Sequence, residues 1–552
     1  MMTDFAGRRS LFAGLPLVIA LLALAPIIYA MPRGLDLSFD SIQYLSAGRN
    51  LLAGRGLSVF DAPGRVRPMT HFPPLYPLVL AMFGAIFGDV ARGAWVLNLS
   101  AMAATVFVAA RLAQRVAGGN SRVGSYAAVI TAAATAVTND LAVNAAMLWS
   151  EPLFILLGVA TAGLLIRSTD RESTVSLRRE PSLLFAALSA GASALTRYAG
   201  IGIMGGGVLA LLFASRLALG ARFRRVALFG AVSMVPLSIW LWYNEVRAGT
   251  ATDRDLSVHI ISRDELWVGL GTLSRWLFPY DPTDGFGMLL ALAIAGIIAY
   301  IVRQTLRRSD ATPGRGTSVA SLDEPSTRRA TLVLAILFVA YGLFLLASIM
   351  FVEHAASLDE RLLSPALPIF IAMTIGAGCA LLCQEPNQFR VEANGRRRPY
   401  RHLRVIAIVA LVVSLGNQAI GLASWTLHMP ARSLGLTQLS RSAAELLGVV
   451  RAIPRTAHVY SNMPYMTYAF ADRVVSNLPQ KISQTSLKPN SRFLAQLHQI
   501  ADTPDGKPIY LVFFDSPYHP PFYTTAKDAV VAFPMAERHF FRGGEVFVIA
   551  AH

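Results

Sequence analysis

Uninterrupted apolar runs of about 17–25 residues recur along this chain of 552 residues, and they constrain its fold more than any other feature. That is the length a helix needs to cross a ~30 Å hydrocarbon layer. Backbone polar groups in lipid must be satisfied within the segment, so such runs fold as helices packed on one another. Only 15% of the residues are charged, against roughly 25% in soluble domains, which excludes a water-soluble globule. The net charge of +16 does not imply nucleic acid. The arginines sit in short loops between apolar runs, which is a topology signal rather than a basic binding face.

Spans are expected near 11–31, 92–113, 123–139, 148–166, 183–197, 199–213, 226–243, 285–302, 331–351, 362–383 and 404–425. Arg8 and Arg9 before the first run resemble the start of a signal peptide, but the run reaches Met31 and more spans follow, so it reads as an uncleaved first helix. The apolar stretch from Pro73 to Gly88 is short. If it lies along the interface rather than crossing, the basic segments 111–122, 167–179, 216–225, 303–329 and 390–401 all fall on the cytoplasmic side, as the positive-inside rule requires. The run 183–213 would be about 46 Å long as one helix at 1.5 Å per residue. Both its flanks are arginine-rich, so it reads as a hairpin turning at Arg197, Tyr198 and Gly200. The expectation is a polytopic α-helical membrane protein of the plasma (inner) membrane, with about eleven crossings. Its N-terminus is cytoplasmic, and segments 32–91, 140–147, 198–200, 244–284, 352–361 and 426–552 are extracytoplasmic. A bacterial membrane fits the style of the chain.

Residues 1–425 read as the membrane domain. Residues 426–552 hold all four lysines (Lys481, Lys488, Lys507, Lys527) and strand-like pieces at His458 to Tyr460, Ile509 to Phe514 and Val546 to Ala550, with helical pieces and prolines between. They read as a small extracytoplasmic α/β domain. Cys379 and Cys383 share a helix face inside one apolar run. They lack the partners of a metal site or a disulfide framework, so packing is expected of them.

Ionisable groups inside spans are costly and mark functional places. Here they cluster at the outer ends, at Glu151, Arg197 and Arg361. In the first outer segment Asp40, Tyr44 and Gly48 can share a helix face, with Asp36 just before. Gly54 and Gly56 break that helix, and His71, Pro73, Pro74, Tyr76 and Pro77 open the interfacial one.

The order of these features resembles the GT-C superfamily of glycosyltransferases that use polyprenyl-phosphate-linked sugars. That group includes protein O-mannosyltransferases and the aminoarabinose transferases of lipid A. The resemblance rests on an acid followed by a tyrosine, a Gly-x-Gly break and a Pro-Pro-Leu-Tyr-Pro entry. Ser150-Glu151-Pro152, Leu195-Thr196-Arg197-Tyr198, Trp242-Tyr243-Asn244 with Gly249, and Arg361 through Pro368 extend it. It implies a GT-C-like fold and an inverting transfer of a sugar from a polyprenyl phosphate to an acceptor hydroxyl on a lipid, glycan or protein. Asp40 is then the expected base, its carboxyl pushed up by partial desolvation. His71, Arg254 and Arg361 are expected at the phosphate, where arginine gives paired hydrogen bonds. Tyr44, Glu151 and Arg197 are expected around the substrate. Asp36 is expected to be structural. Many members carry two adjacent acids in this loop, whereas Phe39 precedes Asp40 here. The chain therefore requires no metal or other cofactor, and a divalent ion is optional because side chains can serve the phosphate. Loop 244–284 is expected to close over the lipid phosphate, with Ser262 to Phe278 as a surface helix. A transporter or lipid flippase is the rival reading. Repeats and charges near the bilayer centre would mark one, and neither is visible.

Overall fold

The computed structural model describes residues 14–62, 65–170, 180–254, 256, 258–279, 286–307, 324–352, 357–382, 400–482, 488–502, 506–515 and 522–549. Arg8, Arg9, Cys383 and the basic stretches within 171–179, 308–323 and 390–399 lie outside them.

Each of the eleven expected stretches is helical over most of its described length. They form α1 (Gly14–Ala30), α4 (Val90–Val116), α5 (Arg122–Ala136), α7 (Glu151–Asp170), α8 (Pro181–Thr196), α9 (Gly200–Phe213), α10 (Leu219–Ala248), α12 (Phe286–Arg307), α13 (Glu324–Phe351), α15 (Leu367–Leu382) and α16 (Tyr400–Arg432). Among the described residues six helices are long and apolar enough to cross a membrane alone. A seventh span is formed by α5 with α6 (Asn139–Ala146) if that bent pair is one unit. The chain is therefore an integral, multi-pass membrane protein. α16 runs seven residues past residue 425 before the chain leaves the bundle.

Lipid gives no hydrophobic drive between helices, so small residues that allow close approach hold the bundle together. Ala127, Ala128 and Ala132 on α5, and Ala186, Ala187 and Ala190 on α8, are buried at these contacts. The 183–213 run is the expected hairpin. Arg197 is extended (φ −148°), and the Gly200 N–H donates to the Arg197 carbonyl at 2.8 Å. A Cβ on Gly200 would stand 2.3 Å from the Ala194 nitrogen, so only glycine fits there.

The first outer segment folds as expected at its helices and adds a hairpin. α2 (Phe39–Leu52) starts at Ser38, which forms a reciprocal cap with Ser41, and stops before Gly54 and Gly56, both at φ +71°. The strands β1 (Ser58–Ala62) and β2 (Arg65–Pro68) pair antiparallel. They are too short to announce themselves by alternation: β1 buries Ser58 and Val59 in succession, and β2 is largely exposed. α3 (Leu75–Phe87) is a short apolar helix where the interfacial one was expected, and it packs on α2 and α4.

The structure departs from the sequence reading at two places. Segment 140–147 was expected as an outer loop but is mostly the buried helix α6, turned 55° from α5. Its polar groups are satisfied inside the protein: Asn144 donates to Ser364 Oγ at 2.7 Å, and Asn98 donates to the Met147 carbonyl at 2.7 Å. Arg225, expected in a solvated basic loop, is 2% exposed and pairs with Glu180 at 2.9 Å. It also donates to the Ser168 carbonyl at 2.8 Å. A cation there satisfies the free carbonyls at the C-terminal end of α7.

The expected inner segments meet one another. Arg115 (3.4 Å) and Arg329 (3.9 Å) both reach Asp170. The expected outer segments meet at the opposite helix ends. There residues 36–37 form an extended seam, bridged in parallel to Met147 and to Gly435. Beyond it α14 (Glu360–Leu363) leads into α15. Further on α11 (Arg263–Arg275) is the expected surface helix, capped by Ser262.

The C-terminal part contributes α17 (Gly435–Ser442), α18 (Ala444–Ala452), α19 (Pro464–Ala471), α20 (Phe493–His498) and α21 (Ala526–Ala532). Its sheet has the order β4-β3-β5-β7-β6, from β3 (His458–Ser461), β4 (Ser476–Asn477), β5 (Ile509–Phe514), β6 (Glu537–Phe541) and β7 (Gly544–Ile549). β3 lies parallel to β4 and β5, while β7 is antiparallel to β5 and β6. The three expected strands are present. β6 escaped notice because it is an exposed edge without an apolar face.

Candidate active site

Asp40, Tyr44, His71, Arg197, Arg254 and Arg361 line one cavity of about 790 Å³ between the first outer segment, the α8–α9 turn, the loop after α10 and the start of α14. Seven substrate-facing residues were expected from the sequence, and six of them meet there. Their elements explain the convergence. Asp40 sits in the first turn of α2, where a carboxylate suits the helix dipole, and Tyr44 follows one turn on. Arg197 ends α8. Asn244, 1% exposed, donates to the Ala251 carbonyl at 2.9 Å and so holds the loop that carries Arg254.

Arg361 is the hub. Its Nη2 donates to Asp40 Oδ2 at 2.6 Å, its Nε donates to Glu151, and its guanidinium lies 4.4 Å from the centre of the Trp149 ring. Arg197 donates to Glu151 Oε1 at 2.6 Å and to Ser150 Oγ at 3.2 Å, and Ser150 is 3.1 Å from the Tyr44 hydroxyl. Glu151 itself is 0% exposed. It was expected at the substrate but stands behind the cavity wall, between the two arginines it aligns. Trp149, next to the Ser-Glu-Pro motif, was missed, although its position beside that motif was the available signal.

Burial pushes the Asp40 carboxyl up. The Arg361 guanidinium, aided by Arg197 and His71, outweighs that effect and holds it below the ordinary carboxylate value. This corrects the expectation of a raised carboxyl: with a cation at 2.6 Å, the charge partner wins over desolvation. Burial raises the Tyr44 phenol, which keeps it a hydrogen-bond donor.

The loop arginines divide. Arg254 lies in the cavity, 5.3 Å from the Tyr198 ring centre. Arg247 lies over the Tyr243 ring, and Arg275 pairs with Glu360 at 2.5 Å. Asp36 is structural, 4% exposed, and accepts from the Leu434 N–H. Phe39 packs edge-on to Tyr465 of the C-terminal domain at 5.7 Å, away from the metal-ligating role an acid there would suit. Among the described residues no three His, Cys, Asp or Glu side chains gather as a metal site would need. Glu245 and Asp359 also line the cavity and were not singled out in the sequence.

No family model and no curated protein matches the chain. Its fold does match solved structures. ArnT from Cupriavidus metallidurans bound to undecaprenyl phosphate aligns with a TM-score of 0.58 at 15% identity, over 98% of each chain. An oligosaccharyltransferase of Archaeoglobus fulgidus in complex with Zn and sulfate aligns with a TM-score of 0.54 at 14% identity, over 90% of this chain and 68% of the other. The arabinofuranosyltransferase AftD from Mycobacteria aligns with a TM-score of 0.54 at 15% identity, over 99% of this chain and 40% of that larger one. At such identities the likeness is one of architecture, and it spans the membrane helices and the C-terminal part together. The chain shares the fold of these solved proteins.

Proposed function

We propose that this protein is an inverting glycosyltransferase that moves a sugar from a polyprenyl phosphate to an acceptor hydroxyl on the extracytoplasmic face of the membrane. The observation that carries the reading is the cavity: three arginines and His71 converge with Asp40, Glu245 and Asp359 in a space whose other wall is apolar, with Leu241, Phe344 and Ile349. A lipid phosphate needs that combination of cations and hydrocarbon. The undecaprenyl phosphate bound to the similar ArnT, and the dolichol phosphate bound to the archaeal oligosaccharyltransferase AglB, support it. Eleven crossings with the N-terminus in the cytoplasm fit the separation of the two ends of the bundle.

In this reading the donor phosphate engages Arg361 and Arg254, with His71 beside them. Taking Arg361 as a partner releases Asp40 from its ion pair. The acceptor hydroxyl gives its proton to Asp40 while its oxygen bonds to the anomeric carbon from the face opposite the phosphate. The bond from that carbon to the phosphate oxygen breaks, and the polyprenyl phosphate leaves with the electron pair. Arginine donors stabilise the charge that grows on it, so side chains alone serve the leaving group. Glu151 holds Arg197 and Arg361 in register.

Replacing Asp40 with Asn tests the assignment. Loss of a general base costs roughly 10²–10⁴-fold in rate. Sugar transfer by purified protein falls by that factor while binding of undecaprenyl phosphate, followed by native mass spectrometry, persists. Transfer at near the wild-type rate would remove Asp40 from the chemistry. The lipid that co-purifies with the protein, identified by mass spectrometry, names the sugar.

A further inference from the structure

A second, smaller cavity lies next to the first. It holds about 70 Å³ between α2, the β1–β2 hairpin and α19 of the C-terminal domain. On the same measure one water needs about 10–15 Å³, so several waters, or one sugar ring in their place, fit there. Its walls are Phe60, Tyr465 and Tyr468, with Gln43, Arg67 and Asn477 at its polar positions. The Phe60 and Tyr468 rings are 5.7 Å apart and tilted by 48°. The notch is walled by the helix that carries Asp40. Gln43 follows Asp40 by three positions on α2, so the two are neighbours on the helix surface, and the Asp40 charge is felt at Tyr465. Arg67 pairs with Asp253 at 3.7 Å, next in the chain to the Arg254 that lines the main cavity.

We propose that this notch is the acceptor subsite and that the acceptor is a carbohydrate, a step that rests on the glycosyltransferase reading above. Aromatic rings offer flat apolar faces to the C–H side of a sugar ring. A few fixed amide and guanidinium groups orient its hydroxyls, which is the usual division of labour in a small-molecule site. A sugar seated on Tyr468 and Phe60 would present a hydroxyl across Gln43 toward Asp40.

Saturation-transfer NMR on the full chain in detergent tests this, with α-1,6-mannobiose, α-1,5-arabinobiose and maltose as probes and a serine-containing hexapeptide and short-chain phosphatidylglycerol as alternatives. At least one disaccharide is expected to bind. Tyr468→Ala should weaken it at least tenfold, Tyr468→Trp should retain it, and undecaprenyl phosphate binding should be unchanged in both. The proposal is overturned if no disaccharide binds, if binding is indifferent to Tyr468→Ala, or if only the peptide or the phospholipid shows transfer. Failure of the wild-type protein to bind undecaprenyl phosphate would instead overturn the donor reading, and the two failures are read from separate signals.

Discussion

Asp40 and Arg361 hold each other at 2.6 Å, and a donor phosphate competes for the same guanidinium. The pH dependence of transfer follows. A carboxyl held low stays charged as pH falls through the ordinary value of 3.8, and the pair's contribution is lost only below that. The acid limb of kcat/KM, which reports the free enzyme, is therefore expected below the ordinary carboxylate range. Once the phosphate has drawn Arg361 away, burial acts on Asp40 against only the weaker pull of Arg197 and His71. The acid limb of kcat should then stand at higher pH than that of kcat/KM, and Arg361→Gln should raise the kcat/KM limb as well. Coincident limbs in both profiles would contradict the handover. Glu151 allows a separate measurement. It is fully buried between two arginines, and breaking a buried pair from one side costs about 3–5 kcal/mol. Glu151→Ala should lower the unfolding midpoint in detergent accordingly, and an unchanged midpoint would show that the two cations need no such anchor.

The α8–α9 hairpin is the element on which the site's geometry turns, because Arg197 occupies its corner. Gly200→Ala places a methyl group 2.3 Å from backbone at Ala194, where no side-chain rotation can relieve it. Overpacking of this kind costs about 1–3 kcal/mol. The variant should lose stability by that amount and lose transfer more steeply than Ala199→Gly, which leaves the same backbone in place. The hairpin was readable from sequence because arginines flank it on both sides and its length exceeds one crossing. The glycine stop after α2 and the proline entry to α3 were readable for equally local reasons. The β1–β2 hairpin and β6 were not, since β1 is too short to show a period and β2 and β6 are mostly exposed. Contacts closed by distant segments were also out of reach. Nothing near Asp36 announces Leu434, nothing near Phe39 announces Tyr465, and Arg225 looks like any loop arginine until Ser168 and Glu180 are seen beside it. The six cavity residues were found because each stands at the expected outer end of a span or in an expected outer segment, and because the motif order there resembles a known family.

The alternation of spans makes a claim about the whole molecule which the packing answers in a particular way. Segments assigned to one side by arginine placement are the ones that touch. Asp40, Glu151, Arg197 and Arg361 interlock at one end of the bundle, while Arg115, Asp170 and Arg329 do so at the other. The C-terminal domain lies at the Asp40 end of the bundle, because its first residues are bridged to Leu37 and Leu436 donates to the Leu37 carbonyl at 2.7 Å. Sidedness can thus be measured at two positions. In a background where Cys379 and Cys383 are replaced by Ser, a cysteine at Leu256, 83% exposed beside the cavity, should react with an impermeant maleimide applied outside intact spheroplasts. A cysteine at Leu219, exposed at the start of α10, should react only after permeabilisation. The reverse pattern would turn the molecule over and put the proposed chemistry in the cytoplasm. Labelling of both positions from outside would break the link between arginine placement and the packed ends.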